Sequence, residues 1–396
     1  MMALLLLAVS VHADFEAGNV GQVTMVAENH VRCAVAGESD KDGRNRQPSW
    51  FYFRLDGVAG REMTVDVTGL HGEYNYKPHK GQGLQHTRPV LSHDNRTWQH
   101  AADVTWLPEQ SAIRVRFRAE KDRIWIARQP PYTLQRLDRL LSDLRGHPDL
   151  KEQTIGKSVE GRPLLLLTVT DAETPDPRKK VIWLMARQHA WESGTSWVAE
   201  GLLLFLLSKD PQAVRLRQRN IVKLIPICDP DGVARGGVRF NEHGYDLNRN
   251  WDAVDPTKMP EIASQRNTIL GWVDSGRPIH LFLTLHNTES ADYIEGPLTA
   301  GGPTTHALAH RFQKLLDDTS AFYAPTGPRD MSATTSPGIK GRMTVSQGLW
   351  ADRRIPAFLM ELMVDRSEKL GREPTVKDRL EFGGDLIRAM AAALPN

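Results

Sequence analysis

The chain has 396 residues, 40% of them hydrophobic and 25% charged, with 50 Lys and Arg against 48 Asp and Glu for a formal net charge of +2. This is the balance of an ordinary globular protein with room for two domains. No basic arm or block of like charge supplies the phosphate-neutralising surface that nucleic-acid binding needs, so that class of partner is excluded.

Met2 to Val11 form the only membrane-like stretch, and it is too short to span a bilayer. An apolar run followed by Val11-His12-Ala13, small at the cleavage positions, has the form of a secretory signal, although a basic n-region is missing. Residues 1–13 are therefore expected to be a signal peptide, with the mature chain starting near Asp14 and the protein secreted or periplasmic. The alternative is a cytoplasmic protein in which this stretch is a buried strand. Cys33 and Cys228 fall in different domains, so two buried free thiols are expected rather than a bridge.

From Asp14 to Arg128, short alternating runs such as WFYFRL, MTVDV and IRVRFRA are separated by Gly, Pro and Asp turns. This spacing predicts a small antiparallel β-sandwich or barrel over 14–128. His71, His79, His86, His93 and His100 recur through it, but no helix or strand period would gather the rings at one point. They are read as solvated loop imidazoles rather than a second metal site. Gln129-Pro130-Pro131 then marks a boundary, because paired prolines interrupt both helix and ladder.

The second domain, 132–394, opens with TLQRLDRLLSDL, whose apolar residues repeat at helical spacing. Strand-like runs LLLLTVT, VIWLMA, IVKLIPI, IHLFLTL and AFLMELM alternate with helical stretches at 197–207, 261–273, 304–316 and 376–394. Alternation of this kind predicts an α/β fold with a mostly parallel or mixed sheet flanked by helices.

Chemistry-bearing residues collect at the ends of these strands. In VIWLMARQHAWESGTSW, His189 and Glu192 sit where a strand hands over to a helix, which is where ligands bind in an open α/β sheet. One imidazole and one carboxylate at that spacing can share an ion, and a further His completes a His₂Glu zinc set with an open water position. His286 ends another strand in HLFLTLHNTES; GYDLNRNW packs Asp246, Asn248 and Arg249 together; and Glu361 lies in the apolar run of PAFLMELM. A carboxylate is seldom placed in such a run unless it is paired or functional.

In order and spacing these motifs resemble the zinc carboxypeptidase superfamily. RQHAWESGTSW and DPDGVARGGVRFNEHGYDLNRNW are similar to the corresponding motifs of its cytosolic carboxypeptidase subfamily, over roughly residues 130 to 394. WFYFRLDG and YKPHKGQGLQHTRPVLS look like that group's β domain. The resemblance implies a zinc carboxypeptidase fold and one zinc held by His189, Glu192 and His286, with Glu361 as general base and Arg239 stabilising the oxyanion. It also implies that Asn248 and Arg249 grip the substrate's terminal carboxylate and that Asp246 accepts from the far nitrogen of His189. The partner is then the C-terminus of a peptide or protein. Removal of acidic residues is expected through Arg342, and less through Lys340, in GIKGRMTV.

Three departures limit the carry-over. Thr284, Asn287 and Thr288 flank His286 where the cytosolic group has other residues; no tyrosine lies between Tyr323 and Glu361; and Asp229 replaces the Asn of the NPDG motif. Two other readings stay open: a zinc amidohydrolase acting on cell-wall γ-glutamyl or D-residue peptides, and a catalytically silent binding module. The sequence sets no oligomeric state.

Overall fold

The computed structural model describes residues 8–395 apart from 44, 75–76 and 332–339. In the N-terminal part, two five-stranded sheets face each other. One runs Ser10–His12, Tyr52–Asp56, Arg123–Ala127, Val90–Ser92, Gln99–His100; the other runs Asp103–Leu107, Ala112–Arg118, Glu62–Thr68, His30–Ala34, Val23–Ala27. Alternation turns Met63, Val65 and Val67 inward from one sheet to meet Phe53, Leu55, Ile124 and Ile126 of the other in a shared core. The expected sandwich is present, with one parallel pair, His30–Ala34 beside Glu62–Thr68. Ser10–His12 pairs with Tyr52–Asp56, so a cut after Ala13 would remove an edge strand; Met1 to Leu7 of the expected signal lie outside the described residues. Cys33 and Cys228 are both buried and free.

The second part is an eight-stranded mixed sheet in the order Leu150–Lys157, Pro163–Val169, Asn220–Ile225, Lys180–Ala186, Leu281–Thr288, Ala357–Met363, Tyr293–Gly296, Arg329–Asp330. The four strands from Asn220–Ile225 to Ala357–Met363 are mutually parallel. They read as continuous apolar runs because both faces are covered. Ile182, Leu184 and Leu283 face Leu202, Leu206 and Met390 on one side, while Trp183, Met185 and Phe282 face Ile262, Ile269 and Leu349 on the other.

Helix Ser193–Leu206 packs on the C-terminal helix Val376–Ala393 with almost no gap. A Cβ at Gly201 would lie 2.0 Å from the Leu380 carbonyl oxygen, and one at Gly383 would lie 2.3 Å from that of Val198. These contacts seat the helix that begins directly after Glu192. The predicted helices are found at Leu134–Leu144, Ser193–Leu206, Pro260–Asp274, Gly302–Thr319 and Val376–Ala393. Pro211–Arg219, Val345–Arg353 and the strand Leu150–Lys157 were not anticipated. That strand is polar and exposed along most of its length, so it carries no apolar alternation.

Asp229 explains one departure. It caps the helix Pro230–Arg235 by accepting from the Gly232 N–H at 2.9 Å, and its other oxygen is buried without a partner. Burial, reinforced by Glu261 and Glu38 against the pull of Arg235 and the Gly232 N–H, pushes its carboxyl up from 3.8 to about 8. Near neutral pH it is a protonated acid, close in shape and charge to the Asn it replaces. The folded chain holds this proton up to about pH 8 while the unfolded chain releases it near 3.8, so the group's contribution to stability falls as pH rises through that window. Asp229→Asn should match the parent in thermal denaturation near pH 4 and exceed it by a margin that grows towards pH 8; a margin independent of pH would contradict this.

Candidate active site

Strand Lys180–Ala186 ends at Arg187, which takes a left-handed φ of 62° and is buried. A non-glycine residue there is uncommon and needs support. The guanidinium supplies it by donating to the carbonyls of Ala190 at 2.7 Å and Tyr132 at 3.2 Å. The turn it fixes carries His189 and Glu192, and helix Ser193–Leu206 starts at the next residue. Glu192 occupies that helix's N-cap position without capping it, which leaves both carboxylate oxygens facing the site.

His189 Nδ1 lies 2.8 Å from Glu192 Oε1, and His286 Nδ1 lies 3.1 Å from Oε2. A ligand atom from each of the three residues falls within 4.8 Å of the others, and all three are buried. The far nitrogens face acceptors: His189 Nε2 meets Asp246 Oδ1 at 3.1 Å, and His286 Nε2 meets Gln188 Oε1 at 3.1 Å. With an ion between the rings and Glu192, each Nδ1 would give it a lone pair and each ring proton would sit on Nε2, towards Asp246 and Gln188. In the metal-free site, burial would raise the Glu192 carboxyl, but the positive charge and N–H groups that His189 and His286 can turn towards it outweigh burial and hold it below the ordinary range. Two imidazoles and one carboxylate, at spacings near the roughly 3.3 Å between donors on one tetrahedral zinc, fit that metal.

Glu361 is the cross-strand partner of His286, since Leu281–Thr288 and Ala357–Met363 pair in parallel with these two residues in register. Its Oε2 is buried without a hydrogen-bond partner, and burial, then Glu192 and Glu289, push its carboxyl well above the ordinary range. A dication between the ligands would act in the opposite direction and favour the carboxylate.

Asp246 ties the second group of residues to the first. Burial opposes its charge, but Arg239, Arg249 and His189 hold it well below the ordinary range. One oxygen faces His189 and also accepts the Asn248 N–H at 2.8 Å; the other accepts from Arg239 Nε at 2.8 Å. Arg239, Asn248, Arg249 and Glu361 line one cleft of about 500 Å³ with the metal ligands. The cleft's other wall comes from the β domain, through Gln47, Ser49, Glu73 and His79 among others.

Arg342 and Lys340 do not line this cleft among the described residues, although Thr344 does. The backbone N–H groups of Gly341 and Met343 are tethered to Asp252 at 2.9 and 3.1 Å. The five recurring histidines from His71 to His100 form no metal cluster among the described residues. His93 and His100 contact backbone carbonyls instead.

Sequence reading missed Gln188, fully buried between Arg187 and His189. Its oxygen also accepts from Thr284 at 2.8 Å, and its amide nitrogen donates to the Leu247 carbonyl at 2.8 Å. Thr284, noted in the sequence only as a departure, thus helps orient His286. A polar residue inside a buried strand-to-turn segment was the available signal. The β-domain wall carried none, because loop residues have no pattern.

Residues 137–307 match the family described as zinc carboxypeptidase, and residues 11–128 match the cytosolic carboxypeptidase N-terminal domain. The chain joins a zinc carboxypeptidase domain to a cytosolic carboxypeptidase N-terminal domain. Mouse cytosolic carboxypeptidase 3 is 27% identical over 301 residues, covering 69% of this chain and 28% of the relative. Human cytosolic carboxypeptidase 2 is 34% identical over 268 residues, covering 61% and 29%. The chain therefore spans under a third of the length of these two curated relatives. A crystal structure of a metallo-carboxypeptidase from Burkholderia cenocepacia shares the fold, with a TM-score of 0.84 at 23% identity, covering 98% of this chain and 99% of that one.

Zinc is the metal of the carboxypeptidase family, and His189, Glu192 and His286 are the residues here that suit it. A buried three-ligand site loses most of its affinity with any one ligand. His189→Ala, Glu192→Ala and His286→Ala should each emerge largely metal-free by elemental analysis, whereas Glu361→Gln should retain about one zinc per chain. A metal-free Glu361→Gln protein would place Glu361 among the ligands and contradict this assignment.

Proposed function

We propose that the protein is a zinc metallocarboxypeptidase that hydrolyses the last peptide bond of a peptide or protein bearing a free C-terminus. The observation that carries this reading is the meeting, in one cleft, of a His₂Glu metal set, the Glu361 carboxyl with one oxygen buried and unpartnered, and the Arg239, Asn248 and Arg249 group. Bound zinc supplies a water of lowered pKa and polarises the scissile carbonyl.

The chain's own residues do the rest. Glu361 takes the water's proton and hands it to the departing amine, two transfers that one carboxylate beside the ligands can make in turn. Arg239, aimed by its hydrogen bond to Asp246, meets the negative charge that develops on the carbonyl oxygen. The Arg249 guanidinium, steadied by donating Nη1 to the Asn248 carbonyl at 2.8 Å, pairs with the substrate's terminal carboxylate, beside the Asn248 side chain. Requiring that carboxylate is what confines cleavage to the chain end. The silent-module reading loses support from the same geometry, because a binding surface gains nothing from a carboxyl with an unpartnered oxygen set in register with a ligand histidine.

Arg342 stands outside the lining, so no preference for acidic residues is assigned to it. Incubated with zinc, the protein should shorten a free-acid peptide one residue at a time by mass spectrometry, leave its C-terminal amide intact, and stop on chelation. Arg342→Ala should leave the rank order of terminal residues unchanged. Equal cleavage of acid and amide, or turnover confined to γ-glutamyl or D-residue peptides, would replace this reading with the amidohydrolase.

A further inference from the structure

The loop that carries Arg239 is held from outside the catalytic domain. Glu38, in the β domain, reaches across and accepts through Oε2 from three successive backbone N–H groups: Val238 at 3.0 Å, Arg239, and Phe240 at 2.8 Å. Its Oε1 accepts from Arg235 at 2.8 Å. Three consecutive amides converging on one oxygen make an anion-binding nest, and charge-assisted bonds of this kind are among the strongest a carboxylate can form.

The sequence is shaped to admit the contact. A Cβ at Gly237 would lie 2.8 Å from Glu38 Oε1, and one at Gly236, which has a φ of 71°, would lie 2.3 Å from the Gly18 carbonyl oxygen. The loop's other side is pinned to the ligand turn, where Trp191 N–H donates to the Val238 carbonyl at 3.0 Å. Glu38 itself is fixed by a two-way backbone bridge with Gln47, at 2.9 and 2.7 Å, and Gln47 is part of the cleft wall. Its side chain is 14% exposed, which limits screening by water.

We propose that Glu38 is a positioning residue for the reaction: by locking the backbone from Val238 to Phe240 it sets where the Arg239 guanidinium points, so the β domain takes part in transition-state stabilisation without touching substrate. The inference rests on the carboxypeptidase reading above. A charge-stabilising donor displaced by a fraction of an ångström loses much of its effect while substrate binding is little changed.

The test measures kcat, KM and zinc content for Glu38→Ala and Glu38→Gln, alone and combined with Arg239→Ala. Glu38→Ala should lower kcat by on the order of tenfold to a hundredfold, with KM within about twofold and zinc retained. Glu38→Gln keeps an acceptor for the amides but sets its NH₂ against Arg235, so a loss of about threefold to tenfold is expected. In the Arg239→Ala background either change should cost under about twofold, because the residue through which Glu38 acts is gone. Should Glu38→Ala fail to fold, Glu38→Gln decides by the same measurements. An unchanged kcat, an equal loss with and without Arg239, or loss of zinc would overturn the proposal. A parent protein that releases no C-terminal residue would defeat the carboxypeptidase reading instead, and the two failures are told apart by that control.

Discussion

The hydrogen-bonded register between Leu281–Thr288 and Ala357–Met363 sets His286 directly beside Glu361. In a parallel pair buried on both faces, a slip of one residue would turn both side chains to opposite faces of the sheet, and the metal set would lose a ligand and its neighbouring carboxyl together. The same ladder continues through Lys180–Ala186, which pairs with Leu281–Thr288 and ends one residue before the turn at Arg187. Three strands therefore deliver His189, Glu192, His286 and Glu361 to one edge. The remaining polar groups follow from them: Asp246 can bridge His189 and Arg239 only because the ring it meets is already placed.

The β domain belongs to this arrangement. Arg128 stacks on Trp191, with its guanidinium carbon 4.2 Å from the ring centroid, and pairs with Glu289 at 2.5 Å. Glu16 accepts from the Leu134 N–H at 2.6 Å, capping the first helix of the catalytic domain from across the boundary. Trp50, Tyr52, Trp191 and Val238 share one apolar cluster. Both walls of the cleft are consequently set by a common interface. A loop change in the β domain can thus reach the chemistry without altering any ligand.

Much of this was legible in the sequence because it was written in strong local signals. Apolar runs marked the parallel strands, and the polar residues that end them, His189, Glu192, His286 and Glu361, stand out against buried surroundings. Asp246, Arg239, Asn248 and Arg249 were reachable only through family resemblance, since nothing in their spacing says which ring or carboxylate they meet. Gln188 and Thr284 escaped because a hydrogen bond between neighbouring strands depends on sheet order. Glu38 escaped because its partners lie some two hundred positions later in the chain. Arg342 was singled out for a motif, whereas the tether of its neighbours Gly341 and Met343 to Asp252 is a tertiary contact invisible to local reading.

A single zinc site built by sheet register would take Nδ1 of two histidines and the Glu192 carboxylate, with Glu361 beside it and outside the coordination shell. Anomalous scattering at the zinc edge from a crystal of the zinc-loaded protein tests it most directly. One strong peak is expected, bonded to His189 Nδ1, His286 Nδ1 and Glu192, with His189 Nε2 still on Asp246 and the Glu361 carboxylate turned towards the metal's open side. A peak bonded through Nε2 of either ring, a peak ligated by Glu361, or no peak among these residues would contradict it.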